Sequence, residues 1–189
     1  SLTLACLERD EGMVHTNAVI ATQALLRNHH PVVEAWLPEL GERGRHSLTM
    51  AFERIRPSYM LVYLKHLKHT DKTLRAFFRE IFERSSYQIL HTICSITAAH
   101  NEVKPEYALL MDICDLETLA KVTFTKDRKP MALMVLLLSK LAQQPQPDWV
   151  PALETILAEY DDRDILETVI DILTEIDDPR VEPILSREI

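Results

Sequence analysis

Five cations fall at helical spacing in the middle of the chain. Lys65, Lys68, Lys72, Arg75 and Arg79 stand 3, 4, 3 and 4 residues apart, and side chains so spaced share one face of a helix. A row of ammonium and guanidinium groups holds anions, either the carboxylates of another protein or the phosphates of a nucleic acid. The surrounding charge sharpens the signal. Residues 43–84 carry 10 Lys/Arg against 4 Asp/Glu, while residues 145–189 carry 3 against 13. The whole chain has a formal charge of −8, which disfavours nucleic acid as the partner. Thr70 and Asp71 interrupt the row with capping residue types, and a break there divides it between two helices.

Other chemistries find less support. His66 and His69 stand three apart and His29 and His30 are adjacent, but zinc requires three or four ligands at recognisable spacing. No HExxH or CxxC arrangement occurs, and no metal is expected. The glycines Gly12, Gly41 and Gly44 cannot build a phosphate loop, and no Ser-x-Gly turn offers a nucleophile. The carboxylate pairs Asp161/Asp162 and Asp177/Asp178 sit at helix starts, where capping accounts for them. Tyr59, Tyr63, Trp36 and Trp149 read as packing residues. The expectation is a protein without catalytic residues or cofactor.

The elements that must position the basic row are helical. Apolar residues make up 47% and charged residues 26%, enough to build a core. Only 3 glycines occur, no Asn-Gly or Asp-Gly turn separates alternating runs, and apolar spacings are those of helices. The fold class is all-α. Cys6, Cys94 and Cys114 are scattered, which fits a reducing compartment better than a disulfide framework. The longest apolar run, Met131–Leu138, is far shorter than the roughly 20 residues a membrane span needs. A cytoplasmic location is the expectation.

In chain order, Val14, Ala18, Ala21 and Leu25 mark a first helix, and Val32 to Leu37 a second segment that closes over Pro38–Gly44. A helix over Arg45–Arg56 carries Leu48, Phe52 and Ile55. Pro57 opens the next, with Tyr59, Met60, Tyr63, Leu64 and Leu67 on its face. Thr70 or Asp71 caps a helix bearing Leu74, Phe77, Phe78, Ile81 and Phe82. Ser85 or Ser86 starts another, Pro105 a short one, and Asp115 caps Leu116–Val122. Met131–Leu141 is apolar nearly all round and is expected between neighbours. Pro147 opens Trp149–Tyr160, and Asp161 or Asp162 starts the last pair, whose second helix begins at Pro179.

These last pairs repeat. Asp127-Arg128, Leu137 and Leu141 align with Asp162-Arg163, Ile172 and Ile176 at an offset of 35, and Pro147, Pro151 and Leu153 align with Pro179, Pro183 and Leu185 at 32. The segment DDRDILETVIDILTEIDDPRVEPIL, Asp161–Leu185, resembles a HEAT-type repeat, with a D-P-R corner between its helices; Asp127–Leu157 resembles it more loosely. The resemblance implies stacked antiparallel helix pairs in a right-handed superhelical solenoid. Two extra helices, near Thr73–Arg84 and Leu116–Val122, interrupt the spacing. One repeat domain over 1–189 is expected, with hairpins roughly at 13–40, 45–84, 86–123, 128–160 and 162–187. The functional expectation is a scaffold or adaptor that binds another protein's acidic segment through Lys65, Lys68, Lys72, Arg75 and Arg79. Head-to-tail self-association and membership of a larger complex stay open. HEAT-like folds also resemble those of chromophore lyases and alkyl-base DNA glycosylases, so the alternative is an enzyme or nucleic-acid binder, with Trp36 or Trp149 beside Asp71 or Asp112.

Overall fold

The computed structural model describes residues 2–9 and 12–188, and it is all-α: no strand occurs among the described residues. The helices are α1 (Leu2–Leu7), α2 (Met13–Arg27), α3 (Val32–Trp36), α4 (Glu42–Glu53), α5 (Pro57–Met60), α6 (Lys72–Arg84), α7 (Ser86–His100), α8 (Pro105–Met111), α9 (Leu116–Thr123), α10 (Met131–Leu141), α11 (Val150–Glu159), α12 (Arg163–Thr174) and α13 (Val181–Glu188). Short 3-10 segments cover Leu37–Glu39, Leu61–Lys68 and Pro147–Trp149. Packing gathers the chain into two compact units, residues 1–92 and 93–189, divided within α7. None of these helices is long and apolar enough to cross a membrane.

In the N-terminal unit, α2 packs on α1 and α4, α4 on α6, and α6 on the 3-10 segment Leu61–Lys68. Four of the chain's five phenylalanines, Phe52, Phe77, Phe78 and Phe82, meet in this core. Phe78 is its centre. The Phe52 ring stands edge-on to it at 5.5 Å, while His66 and Tyr63 lie nearly parallel to it at 4.5 and 5.7 Å. Such arrangements add to the area that the rings bury. The buried Tyr63 hydroxyl donates to Leu26 O at 3.0 Å, which ties the segment to the end of α2. That helix closes with a Schellman pattern: His29 N–H donates to Leu26 O and His30 N–H to Leu25 O. His29 holds the left-handed φ of 56°, a position that glycine usually fills.

The start of α4 is supplied from a distance. Its N-cap, Gly41, has no side chain to accept from the first-turn amides. Glu8, just beyond α1, does so instead: its carboxylate accepts from Gly41 N–H at 2.6 Å and Gly44 N–H at 3.2 Å. Gly44 is buried inside the helix because a Cβ there would run into the Glu8 carboxylate and the Leu40 side chain. The helix therefore begins at Glu42, ahead of the Arg45 start that local apolar spacing predicts.

The C-terminal unit has a mainly aliphatic core, with Tyr107 and Tyr160 also buried. Helix α10 contacts α8, α9 and α12, and buries Leu133, Met134, Leu137, Leu138 and Leu141. Its other side is open, with Met131 53% exposed, so the helix is not enclosed all round. Asp115 and Asp162 cap α9 and α12, accepting from Thr118 N–H at 2.7 Å and from Asp164 and Ile165 N–H at 3.1 and 3.2 Å. These are the aspartates the sequence marks as N-caps. At the D-P-R corner, Asp178 Oδ1 accepts from Arg180 N–H at 2.8 Å, so the chain turns once more and α13 begins at Val181 rather than Pro179.

One cation is buried here. Lys129, 4% exposed, donates from Nζ to Thr125 Oγ1 at 2.9 Å and Asp127 O at 3.1 Å. Loss of hydration pushes its pKa down, and burial pushes the Cys94 thiol up.

Candidate functional site

The five cations do not share one helix. Lys65 and Lys68 belong to the 3-10 segment that ends at Lys68, and Lys72, Arg75 and Arg79 belong to α6. Between them His69 and Asp71 adopt extended backbone, with ψ of 143° and 118°. Asp71 makes the break. Its Oδ1 accepts from Thr73 N–H at 2.7 Å and Leu74 N–H at 3.1 Å, closing the N-terminus of α6. The Leu74 and Thr73 amides hold its carboxyl below the usual carboxylate range. Arg75 spans the break, donating from Nη1 to His69 O at 3.0 Å.

The row is thus two short basic edges joined by a bend. The sequence pattern missed the 3-10 geometry because Tyr59, Met60, Tyr63, Leu64 and Leu67 are spaced as an α-helix would space them. A tighter 3-10 turn brings Tyr63, Leu64 and His66 inward together.

The five also differ in how far they are already engaged. Arg79 pairs with Glu83 at 2.7 Å, an exposed i,i+4 contact. Arg75 is half-buried and holds His69 O. Lys65, Lys68 and Lys72 are exposed, and no carboxylate lies within ion-pair distance of them among the described residues. The carboxylates nearby have other partners. Glu80 pairs with Arg84 at 2.6 Å, and Glu53 with Arg84 at 3.6 Å. Glu8 caps α4, Asp71 caps α6, and Glu34 lies against His66.

Helix α4 adds cations that the row omits. A cavity of about 640 Å³ is lined by Arg45 and His46 of α4 and by Lys72, Phe77, Glu80 and Arg84 of α6. A second, of about 740 Å³, is lined by His15, Thr16, Arg43, His46, Ser47 and Arg54. The sequence signal for both was the basic run Arg43-Gly44-Arg45-His46, which the emphasis on residues 65–79 passed over.

In the second cavity His15 Nε2 lies 2.8 Å from Ser47 Oγ, the spacing of a base and a nucleophile. Ser47 is 3% exposed, and Oγ also lies 3.0 Å from both Leu7 O and Arg43 O. A hydroxyl within hydrogen-bond distance of two main-chain carbonyls is a structural tie between α1, α2 and α4.

His66 is a buried histidine. It is 4% exposed, with Nε2 3.0 Å from Glu34 Oε1. That separation allows charge attraction, yet neither Nε2 nor the buried Glu34 Oε2 makes a hydrogen bond. Burial lowers the pKa of His66, against the opposing pull of Glu34. Burial, with Glu34 beside it, pushes the Tyr63 phenol up to about 12.

The remaining candidates are dispersed. Asp112 pairs with Lys140. Trp36 lies in the N-terminal unit, and Trp149 packs on Phe124 with ring centroids 6.0 Å apart. Cys6, Cys94 and Cys114 form no disulfide among the described residues. Among the described residues, no three His, Cys, Asp or Glu side chains are grouped to hold a metal ion. No protein-family model matches the chain, and comparison with curated proteins and with solved structures gave no match.

Proposed function

We propose that this chain is a non-catalytic binding protein whose N-terminal unit holds the acidic segment of a partner protein. The observation that carries the reading is the uncompensated charge of Lys65, Lys68 and Lys72, three exposed ammonium groups in a unit whose neighbouring carboxylates are committed elsewhere. Arg45 on α4 extends the positive edge. Exposed lysines keep their hydration until a partner arrives, so they favour encounter rate and orientation more than tight affinity. The units differ in the same sense. Residues 1–92 hold 12 Lys/Arg against 10 Asp/Glu, and residues 93–189 hold 9 against 19.

A HEAT-like reading of the C-terminal unit belongs with this proposal. Helices α10 and α12, the first members of two successive pairs, contact each other, and α12 contacts α11 and α13. Stacking of like helices is what a repeat with one apolar face per helix requires. Such arrays commonly serve as scaffolds.

The test is direct binding of a fluorescein-labelled glutamate-rich peptide of about 15 residues, followed by anisotropy. Binding is expected at low salt. It should weaken steeply as the Debye length falls below about 10 Å near 0.1 M salt, and drop by about tenfold or more in the Lys65→Glu/Lys68→Glu/Lys72→Glu variant. Absence of binding at low salt, or equal affinity of the reversal variant, would reject the reading. Duplex DNA of matched charge run in parallel separates an acidic protein segment from general polyanion binding.

A further inference from the structure

In the C-terminal unit the geometry points to a site for an alkylammonium group, at a cavity of about 730 Å³ between α9 and the 3-10 turn Pro147–Trp149. One helix builds most of it. Asp115 caps α9, so that Glu117, Ala120, Lys121 and Phe124 rise at spacings of 3, 1 and 3 residues along one face. The 3-10 turn supplies the facing wall, with Asp148 and Trp149.

The lining has two kinds of chemistry. Phe124 and Trp149 make an aromatic wall, with centroids 6.0 Å apart and planes at 56°. Trp149 is 9% exposed and backs the wall, which leaves the half-buried Phe124 as the more open ring. Two exposed carboxylates, Glu117 and Asp148, line the same cavity, and neither has an ion pair within 4.0 Å among the described residues. Aromatic surface flanked by carboxylate suits a cation with an apolar body: the rings attract it through their quadrupole and the carboxylates neutralise it. The excess of acidic residues in this unit adds attraction at longer range. An anion would meet two carboxylates, and a neutral apolar ligand would leave Glu117 without a partner, whereas Asp148 is already attracted by Arg180.

Among the described residues, Lys121 is the one cation on the lining. Its ammonium opposes a second cation there, and this gives the test a variant of opposite sign.

The probe is butyltrimethylammonium, compared with its uncharged carbon isostere, in a Trp36→Phe background where Trp149 is the only tryptophan. Its fluorescence reports occupancy. The cation is expected to bind about tenfold more tightly than the isostere. Glu117→Gln/Asp148→Asn should weaken the cation and leave the isostere unchanged, whereas Lys121→Gln should tighten the cation. A peptide bearing trimethyllysine, run beside the free cation, distinguishes a side-chain ligand from a small molecule: the tighter of the two identifies the source. Equal affinity for cation and isostere, or no response to either, would overturn the proposal, and this comparison needs no variant at the site. Neither outcome bears on the basic edge of the other unit.

Discussion

The two units bury their cores by different means. Residues 1–92 pack aromatic rings around Phe78, with a histidine and a tyrosine hydroxyl among them, and they start α4 on the carboxylate of Glu8, just beyond α1. Residues 93–189 pack mainly leucine, isoleucine and valine, with Tyr107, Trp149 and Tyr160 buried among them, and two of their helices start on a local aspartate. Aliphatic packing with local caps is more modular, although the buried Tyr160 hydroxyl still accepts from Lys129 N–H at 3.0 Å across 31 residues. Packing by rings and long-range caps is interdependent, because α1, α2, α4 and the 3-10 segment each complete another's hydrogen bonds. The exposed surfaces diverge as well, lysine-rich in one unit and acid-rich in the other.

The largest predicted effects test that interdependence. Phe78 is fully buried among five rings, so Phe78→Ala should cost about 3–5 kcal/mol. Leu137→Ala in the other unit, also fully buried, should cost about 2–5 kcal/mol. Magnitude alone does not separate the two, but its distribution does. Hydrogen exchange should show Phe78→Ala loosening α2, α4 and α6 together, whereas Leu137→Ala should act most on α10 and the helices it touches. Uniform loss of protection along the whole chain in both variants would erase the distinction.

Next comes the distant cap. Gly44→Ala places a methyl against the ends of the Glu8 and Leu40 side chains. Displacing Glu8 strips α4 of its cap, at about 0.5–2 kcal/mol, offset in part by about 0.5–1 kcal/mol from replacing a helix-interior glycine with alanine. Glu8→Ala leaves the first-turn amides of α4 without their acceptor and should cost about 0.5–2 kcal/mol, the range for losing a cap. Because Gly44 is constrained by Glu8, the two should not add. In the double variant the methyl meets less resistance, and its penalty should shrink. Strict additivity in denaturant melts would show that Glu8 is not what keeps position 44 a glycine. Asp162→Ala, a purely local cap, falls in the same range and should be additive with either.

The same contrast decides what the sequence could disclose. Asp71, Asp115 and Asp162 are each followed at once by helical periodicity, so the helices they cap were legible. So was the all-α class. The start of α4 was not, because its cap lies 33 residues upstream, at Glu8. The Leu61–Lys68 segment was not either, because 3-10 and α spacings coincide over a single turn. The basic row was legible as charge, and the capping types at Thr70 and Asp71 announced its break. Which of its members are free was not legible, since that depends on where Glu34, Glu53 and Glu80 find partners. Nor could the cavity beside Trp149 be foreseen, since its two rings stand 25 residues apart in the chain.

The smallest expected effect is a pH dependence specific to the aromatic core. An unfolded histidine takes up a proton near pH 6.5, whereas burial against Phe78 lowers the pKa of His66. Below about pH 6.5 the unfolded chain therefore binds more protons at this position, and stability falls as the pH drops. Glu34 opposes the effect by favouring the charged ring, while Lys65 and His69 reinforce it. Tyr63 acts at the other end. Its phenol pKa, pushed up to about 12, makes stability complete below pH 10 and progressively lost as the pH rises towards 12. Thermal melts of wild type and His66→Gln at pH 7.5 and 5.5 isolate the first term. The wild type should lose more melting temperature between the two than the variant does, even though the variant starts lower. Parallel losses would place the acid sensitivity in the other histidines and remove His66 from the account of how the N-terminal unit differs.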